Sequence, residues 1–352
     1  MIDIETLRNM EKEEGIPKEE IIDIIVLSMK EAYKKHFGEE NAVVKVNLAK
    51  GEIKLYAEKI IVEHVTNPVL EIGEKEAEKF AENPKIGDKI LIEIPMRMLS
   101  PSAVMASRQV FMQKIAERKR EHLVNLFANK VGTIVSGRIT RVKGRGSLGV
   151  SLDVGPQTVE GLLPFEEQIP NEHLSRGREY EFYIKEVKLG EDVPLIILSR
   201  ADPNFFAKLL EREVPEITQK IVEIKSIARA PGERAKVAVF SKDFHVDPVG
   251  ACIGQRGSRI NSVSKALNFE KIDIIRYNPN PEIFIANALS PAEVKKVEII
   301  PGTKEANVYV DKKEVPVAMG KEGINVSLAS KLTGYNIHLI EVEEGEHNEE
   351  RK

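Results

Sequence analysis

Between Pro17 and Gly38 the apolar residues Ile21, Ile25, Met29 and Ala32 recur at helical spacing, and Glu19 and Glu20 sit where the positive end of a helix dipole favours acids. The pattern predicts a helix ending at Phe37-Gly38. Residues 42–48, 52–56 and 60–65 then alternate or run apolar as strands, with Lys50-Gly51 as a hairpin turn. A helix at 74–81 and a strand at 89–94 complete a small α/β unit. Ser100-Pro101 reads as a helix start, and nothing breaks the pattern before Gly132. About 28 residues in one helix make a rod of roughly 40 Å. Val104, Phe111, Ile115, Leu123 and Phe127 need a surface to pack on, while Arg118-Lys119-Arg120 should face outward.

From Val131 the period changes to that of strands, at 133–142, 149–154, 159–163, 180–187 and 195–198. Five strands in about 70 residues suit a small closed barrel of the OB type. Beyond residue 200 the chain repeats itself. Ile253-Gly254-Gln255-Arg256-Gly257-Ser258-Arg259-Ile260 returns as Met319-Gly320-Lys321-Glu322-Gly323-Ile324-Asn325-Val326, 66 residues on (320 − 254). Ser264-Lys265 returns as Ser330-Lys331, and Lys271-Ile272-Asp273-Ile274-Ile275 as Asn336-Ile337-His338-Leu339-Ile340. Each copy is an apolar segment, a G-x-x-G turn, an amphipathic helix and an apolar strand, the arrangement with which a KH domain clamps single-stranded nucleic acid. Glycines without side chains let a phosphate approach the main chain, and the helix starting there offers free N–H groups and a positive dipole end.

Charge is unevenly placed around a net −4. Residues 1–99 carry 15 basic and 21 acidic side chains, residues 100–145 ten against two, residues 201–340 20 against 17, and the tail from Glu341 two against six. An acidic head, a basic middle and a mildly basic repeat pair can bind nucleic acid locally without a basic total. The single cysteine, Cys252, excludes a disulfide framework and a thiolate zinc site. With no apolar run of membrane-spanning length and no basic-then-apolar leader, a cytoplasmic protein is expected.

Catalytic and cofactor chemistry find no support. Gly144-Arg145-Gly146-Ser147-Leu148-Gly149-Val150 matches a dinucleotide fingerprint, but Val150, Leu152 and Val154 continue it as a strand where a helix is required. A basic hairpin loop between barrel strands is the better reading. Asp243, His245 and Asp247 lack a fourth metal ligand and read as polar loop, and the seven histidines show no metal-site spacing. Cys252 reads as a small core residue. No cofactor, no metal and no catalytic residue are expected.

The fold class expected is therefore multidomain α+β. An N-terminal α/β domain with its connecting helix occupies 1–130, a five-stranded OB-type barrel 131–200, two tandem KH domains of prokaryotic type 201–276 and 277–344, and an acidic tail 345–352. In the first repeat Ile253, Gly254, Gln255, Arg256, Gly257, Ser258, Arg259 and Lys265 are the candidate RNA contacts. Met319, Gly320, Lys321, Gly323, Asn325 and Lys331 are those of the second. Ile253, Ile260, Met319 and Val326 would underlie the bases, and the cations would meet phosphates. Glu322 should repel phosphate and leave the second loop the weaker.

Long strings carry a family resemblance. Residues 225–239 (KSIARAPGERAKVAV), 247–254 (DPVGACIG), 270–274 (EKIDI) and 325–334 (NVSLASKLTG), in this domain order, resemble the NusA family of bacterial transcription elongation factors. The resemblance implies a monomeric factor that binds RNA polymerase through residues 1–130, contacts nascent single-stranded RNA through barrel and KH domains, and modulates pausing, termination and antitermination, with other elongation or antitermination factors as further partners. Three departures stand out. The acidic repeats that end some members are not expected after the second KH domain. Glu322 replaces a basic or neutral residue. The barrel strand Gly149-Val150-Ser151-Leu152 is aliphatic, so its RNA contact should be electrostatic, through Arg138, Arg141, Lys143 and Arg145, and weaker than that of the KH domains. The competing class is an RNA-binding subunit of an RNA-processing or degradation enzyme, and a weaker one a ribosome-associated protein. The carboxylates of 1–99, interspersed with lysines, favour a partner-binding surface over an acidic catalytic cluster.

Overall fold

A computed structural model of the chain describes residues 4–47, 50–154, 157–188, 190 and 195–342. Leu48 and the acidic tail lie outside them. The chain divides into two compact units, 1–129 with 188–194, and 130–187 with 195–352.

In the first unit α1 (Ile4–Glu14) and α2 (Lys18–Phe37) precede β1 (Ala42–Asn47), β2 (Glu52–Val62), β3 (Glu71–Gly73), α3 (Glu74–Ala77), β4 (Lys89–Glu93) and α4 (Pro101–Ala128). Helix α1 is absent from the sequence expectation: its stripe consists of only three apolar residues, Ile4, Leu7 and Met10, in an otherwise polar segment. Residues 52–56 and 60–65, expected as two strands, form one strand that ends at Val62. It continues because its partners change along its length, from β1 at 52–57 to β4 at 56–60 and β3 at 60–62. The expected helix at 74–81 is regular only to Ala77. Helix α4 begins where the Ser100 hydroxyl accepts the Ala103 N–H at 3.3 Å and runs for 28 residues. Ala103, Ile115, Leu123 and Phe127 are its buried residues. Val104 departs from expectation by staying exposed, and Lys119 and Arg120 by being half-buried; Arg118 faces solvent.

The second unit opens with β5 (Ile134–Val142), β6 (Leu148–Val154), β7 (Gln157–Leu163), β8 (Glu179–Lys188) and β9 (Leu195–Ser199), closed into a barrel in the order β5-β6-β7-β9-β8. Two α+β repeats follow. The first is α5 (Pro203–Glu213), α6 (Pro215–Thr218), β10 (Val222–Ala230), β11 (Arg234–Ser241), α7 (Pro248–Ile253), α8 (Ser258–Ala266) and β12 (Lys271–Arg276). The second is α9 (Pro281–Ala288), β13 (Val294–Ile299), β14 (Glu305–Asp311), α10 (Val315–Met319), α11 (Ile324–Thr333) and β15 (Asn336–Val342). In both sheets the first two strands are antiparallel and the third joins the second in parallel.

Shared cores fuse these parts. Ile169 and Tyr183 of the barrel lie in one apolar cluster with Phe205, Phe206, Leu209, Val237 and Cys252, and Ala228, Ala238 and Ile275 of the first repeat lie in another with Phe284, Leu289, Val308 and Leu328 of the second. Buried ions reinforce the first junction. The Arg229 guanidinium lies 3.0 Å from Glu270, both side chains wholly buried, and donates to the carbonyls of Arg200 and Asp202. Arg200 in turn pairs with Glu172 and donates to the Ala266 carbonyl. A charge so far from water is tolerable only when paired and hydrogen-bonded. At the second junction the buried Lys236 ammonium donates to Asp273 and to the Ser290 carbonyl, and its burial pushes its pKa down.

Candidate nucleic-acid interface

Both G-x-x-G turns are built the same way. Asp247 caps α7, its carboxylate accepting the Val249 and Gly250 N–H groups, and the helix stops at Ile253 because the chain turns to positive φ. Gly254 has φ 74° and ψ 173°, Arg256 φ 55°, and Gly257 φ 76°. Gly320, Glu322 and Gly323 repeat this at 70°, 54° and 75°. A side chain at Gly254 would put Cβ 2.7 Å from Arg259 Cγ, and one at Gly320 would put it 2.8 Å from Asn325 Cβ. The first glycine is thus required twice over, by its φ and by close approach. Since Gly257 and Gly323 are themselves the N-caps of α8 and α11, no cap side chain occupies the first-turn N–H groups, and no other side chain among the described residues accepts from them. They remain open to an anion.

Around these turns Ile253, Gln255, Arg256, Ser258, Lys265, Met319, Lys321 and Lys331 are exposed, and Ile260 and Val326 half-buried. Glu322 is exposed, with its carboxylate 3.9 Å from the Lys321 ammonium, so the cation of the second loop is partly offset. Two candidate contacts have other duties. Arg259 pairs with Glu216 at 2.9 Å and donates to the Ala251 carbonyl at 2.6 Å, which turns it back onto its own domain. Asn325 is wholly buried, and its amide donates to the carbonyls of Leu289, Val317 and Ala318. It braces the loop from beneath and presents nothing to RNA. Cys252 is buried, its thiol pushed up to about 12 by desolvation.

The barrel cations are also fewer than expected. Arg141 forms a two-point pair with Glu160, at 3.1 and 3.0 Å, and Lys143 reaches the same carboxylate at 2.8 Å, which holds Glu160 below the usual carboxylate range. Arg138 and Arg145 stay exposed and make no ion pair among the described residues. Gly144–Gly146 is a single turn of 3-10 helix in the β5–β6 hairpin and strand β6 follows it, so no nucleotide-binding helix opens there. Strand β11 ends at Ser241, and Asp243 accepts the His245 N–H in a turn. Among the described residues no group of His, Cys, Asp or Glu is arranged to hold a metal.

Sequence reasoning missed the Arg229–Glu270 pair. A signal existed: the repeat spacing drops from 66 at Ser264/Ser330 (330 − 264) to 65 at Lys271/Asn336 (336 − 271), so the first copy carries one extra residue there. Asn268 and Phe269 absorb it in left-handed conformations, and Glu270 turns inward.

A closed five-stranded barrel joined to two tandem KH domains defines a modular RNA-binding protein. Family models match along the chain: the NusA N-terminal domain at residues 4–121, the NusA-like first KH domain at 200–277 and the NusA-like second KH domain at 281–347. The transcription termination/antitermination protein NusA of Thermus thermophilus is 39% identical over 351 residues, 97% of this chain and 90% of the relative. Those of Halalkalibacterium halodurans and Bacillus subtilis are 37% and 36% identical over 337 residues, 96% of this chain and 87% and 90% of theirs. The chain belongs to the NusA family.

Proposed function

We propose that this protein is a non-enzymatic transcription elongation factor that holds nascent single-stranded RNA on its two KH loops, docks on RNA polymerase through residues 1–130, and modulates pausing, termination and antitermination in the cytoplasm. The observation that carries the reading is the pair of loops with matching backbone, each opening onto an uncapped helix N-terminus, in domains fused through shared cores. Fusion fixes the spacing of the two anion sites, so one strand meets both without an ordering cost between domains. The domain division expected from sequence is part of the proposal. So is the contact set, reduced to Ile253, Gln255, Arg256, Ser258, Lys265, Met319, Lys321 and Lys331 with the loop glycines, and on the barrel Arg138 and Arg145. Membrane residence gains no support, since no helix among the described residues is long and apolar enough to cross one.

For polymerase docking, the first unit offers an open groove of about 640 Å³ lined by Ile25, Met29, Leu55, Met96, Val104 and Phe111 among others. The full chain should co-purify with RNA polymerase and not with ribosomes; ribosome binding alone would overturn the reading. Replacing Gln255 and Arg256 by Asp should weaken RNA binding much more than Asp at Lys321 and Glu322. The affinity should fall with salt by roughly 0.7 log units per log unit for each phosphate contacted.

A further inference from the structure

The barrel was expected to meet RNA through charge alone, yet its surface carries an exposed aromatic ring on a tethered turn. Phe165 follows β7 in a one-turn 3-10 helix, Phe165–Glu167, and is 65% exposed. The turn that carries it is tied down on both sides, through Glu167 and Gln168. Behind it, the Glu167 carbonyl accepts the N–H groups of Arg200 and Ala201 at 2.9 and 3.1 Å, and the Glu167 carboxylate pairs with Lys185. In front, Gln168 donates to the Gly146 carbonyl at 2.9 Å, which ties the turn to the β5–β6 hairpin loop. The ring lies so close to that loop that a Cβ on Gly146 would sit 3.2 Å from Phe165 Cδ2. Arg145, the neighbour of Gly146, has φ 57° and is exposed without an ion-pair partner among the described residues. No aromatic or cation covers the Phe165 ring among those residues.

We propose that Phe165 is the base-stacking contact of the barrel, receiving one unpaired nucleobase of single-stranded RNA, with Arg145 meeting an adjoining phosphate. The assignment rests on the RNA-binding reading above and deepens it. Stacking needs an accessible ring and a nearby cation for the backbone, and this corner of the barrel supplies both, on a turn that is itself tethered. Because Arg141 and Lys143 are held by Glu160, stacking becomes the principal contact and charge the auxiliary one.

The chain contains no tryptophan, so Phe165→Trp creates a single-site reporter. Its emission in the full-length protein should be quenched by a mixed-sequence single-stranded RNA oligonucleotide, while anisotropy of the labelled oligonucleotide reports binding independently. Phe165→Ala should weaken that binding about tenfold, toward the lower end of what one stacked base contributes, and Phe165→Tyr should restore it. Arg145→Ala should weaken it less and lower the salt slope by about 0.7. Thermal unfolding should be unchanged in all four. If the oligonucleotide binds with unaltered affinity to Phe165→Ala and leaves the Trp emission unquenched, the ring is not a stacking site, whatever the KH loops do. If the wild-type chain binds no RNA at all, the broader reading fails and takes this one with it.

Discussion

The two KH copies share a backbone and much of their apolar patterning, and differ in how the loop is braced and in what the sheet buries. Under the first glycine of the loop one copy has Arg259, which is turned back onto its own domain by Glu216 and the Ala251 carbonyl, and the other has Asn325, which is sealed inside against carbonyl groups. Ladder positions diverge as well. Arg229 faces Ala235, which faces Ile272; at the same place in the second sheet Ile299 faces Ala306, which faces Ile337. Likewise Lys236 and Asp273 correspond to Asn307 and His338. The first copy therefore buries ions where the second uses an aliphatic or a neutral polar residue. Those ions face its neighbours, since Arg229 reaches back to the segment leaving the barrel and Lys236 forward to Ser290. What the copies keep in common is the main-chain geometry of the turn. The proposed anion site is thus made of backbone, and side chains only support or bias it.

The largest test of this contrast is to break the buried ion pair. Arg229→Ala leaves the buried Glu270 carboxylate with the Gly232 N–H but without its counter-charge, and should destabilise the barrel–KH unit by about 3–5 kcal/mol in urea unfolding. Ile299→Ala, at the matching half-buried position, should cost about 1–2 kcal/mol. Replacing both ions at once, Arg229→Met with Glu270→Leu, should recover most of the loss. Equal costs for Arg229→Ala and Ile299→Ala would erase the distinction between ionic and aliphatic copies.

The G-x-x-G loops were legible in sequence because glycine at positive φ cannot be replaced cheaply, and the barrel was legible because its strands alternate. The ion pair left only an indirect trace, the one-residue break in the repeat spacing before Lys271: its partners lie 41 residues apart, and no periodicity links them. Asn325 was misread for a related reason. A polar residue next to a binding motif looks like a contact until its burial is known. Phe165 was passed over because one aromatic after a strand resembles a core residue. Helix α1 escaped because its apolar stripe, Ile4, Leu7 and Met10, is only three residues long. Pattern thus reported backbone demands well, while it said little about long-range polar pairing.

Next in size is the brace under the second loop. Asn325→Leu removes the amide donor from the buried Leu289 and Ala318 carbonyls, which should cost about 2 kcal/mol and blunt RNA binding at that loop. Arg259→Ala, whose pair is partly exposed, should cost less than about 1 kcal/mol. A cost for Arg259→Ala as large as that for Asn325→Leu would mean the two residues brace their loops alike.

The inequality of the loops themselves should be removable. Glu322→Lys replaces a carboxylate with an ammonium at an exposed left-handed position that already tolerates a side chain, so folding should be untouched. RNA affinity should rise about fivefold at low salt, and the gain should fade as salt screens it. An unchanged affinity in this variant would place the difference between the copies outside the loop charge.

The smallest expected effect concerns the core beneath each loop, where Cys252 of the first copy matches Ala318 of the second (318 − 252 = 66), both wholly buried. Cys252→Ala should cost about 1 kcal/mol at neutral pH, the value of one small buried group. The thiol adds a pH dependence that alanine lacks. Burial raises its pKa from an ordinary 9.0 to about 12, so the folded state holds the proton more tightly than the unfolded one. Its contribution is complete below pH 9 and is lost as pH climbs toward 12. Urea unfolding at rising pH should therefore show the wild-type advantage over Cys252→Ala shrinking from about pH 9 upward, while a thiol reagent at neutral pH should label Cys252 only after denaturation. Rapid labelling of the native protein would mean that the first core opens beneath its loop, a looseness the alanine of the second copy would not share.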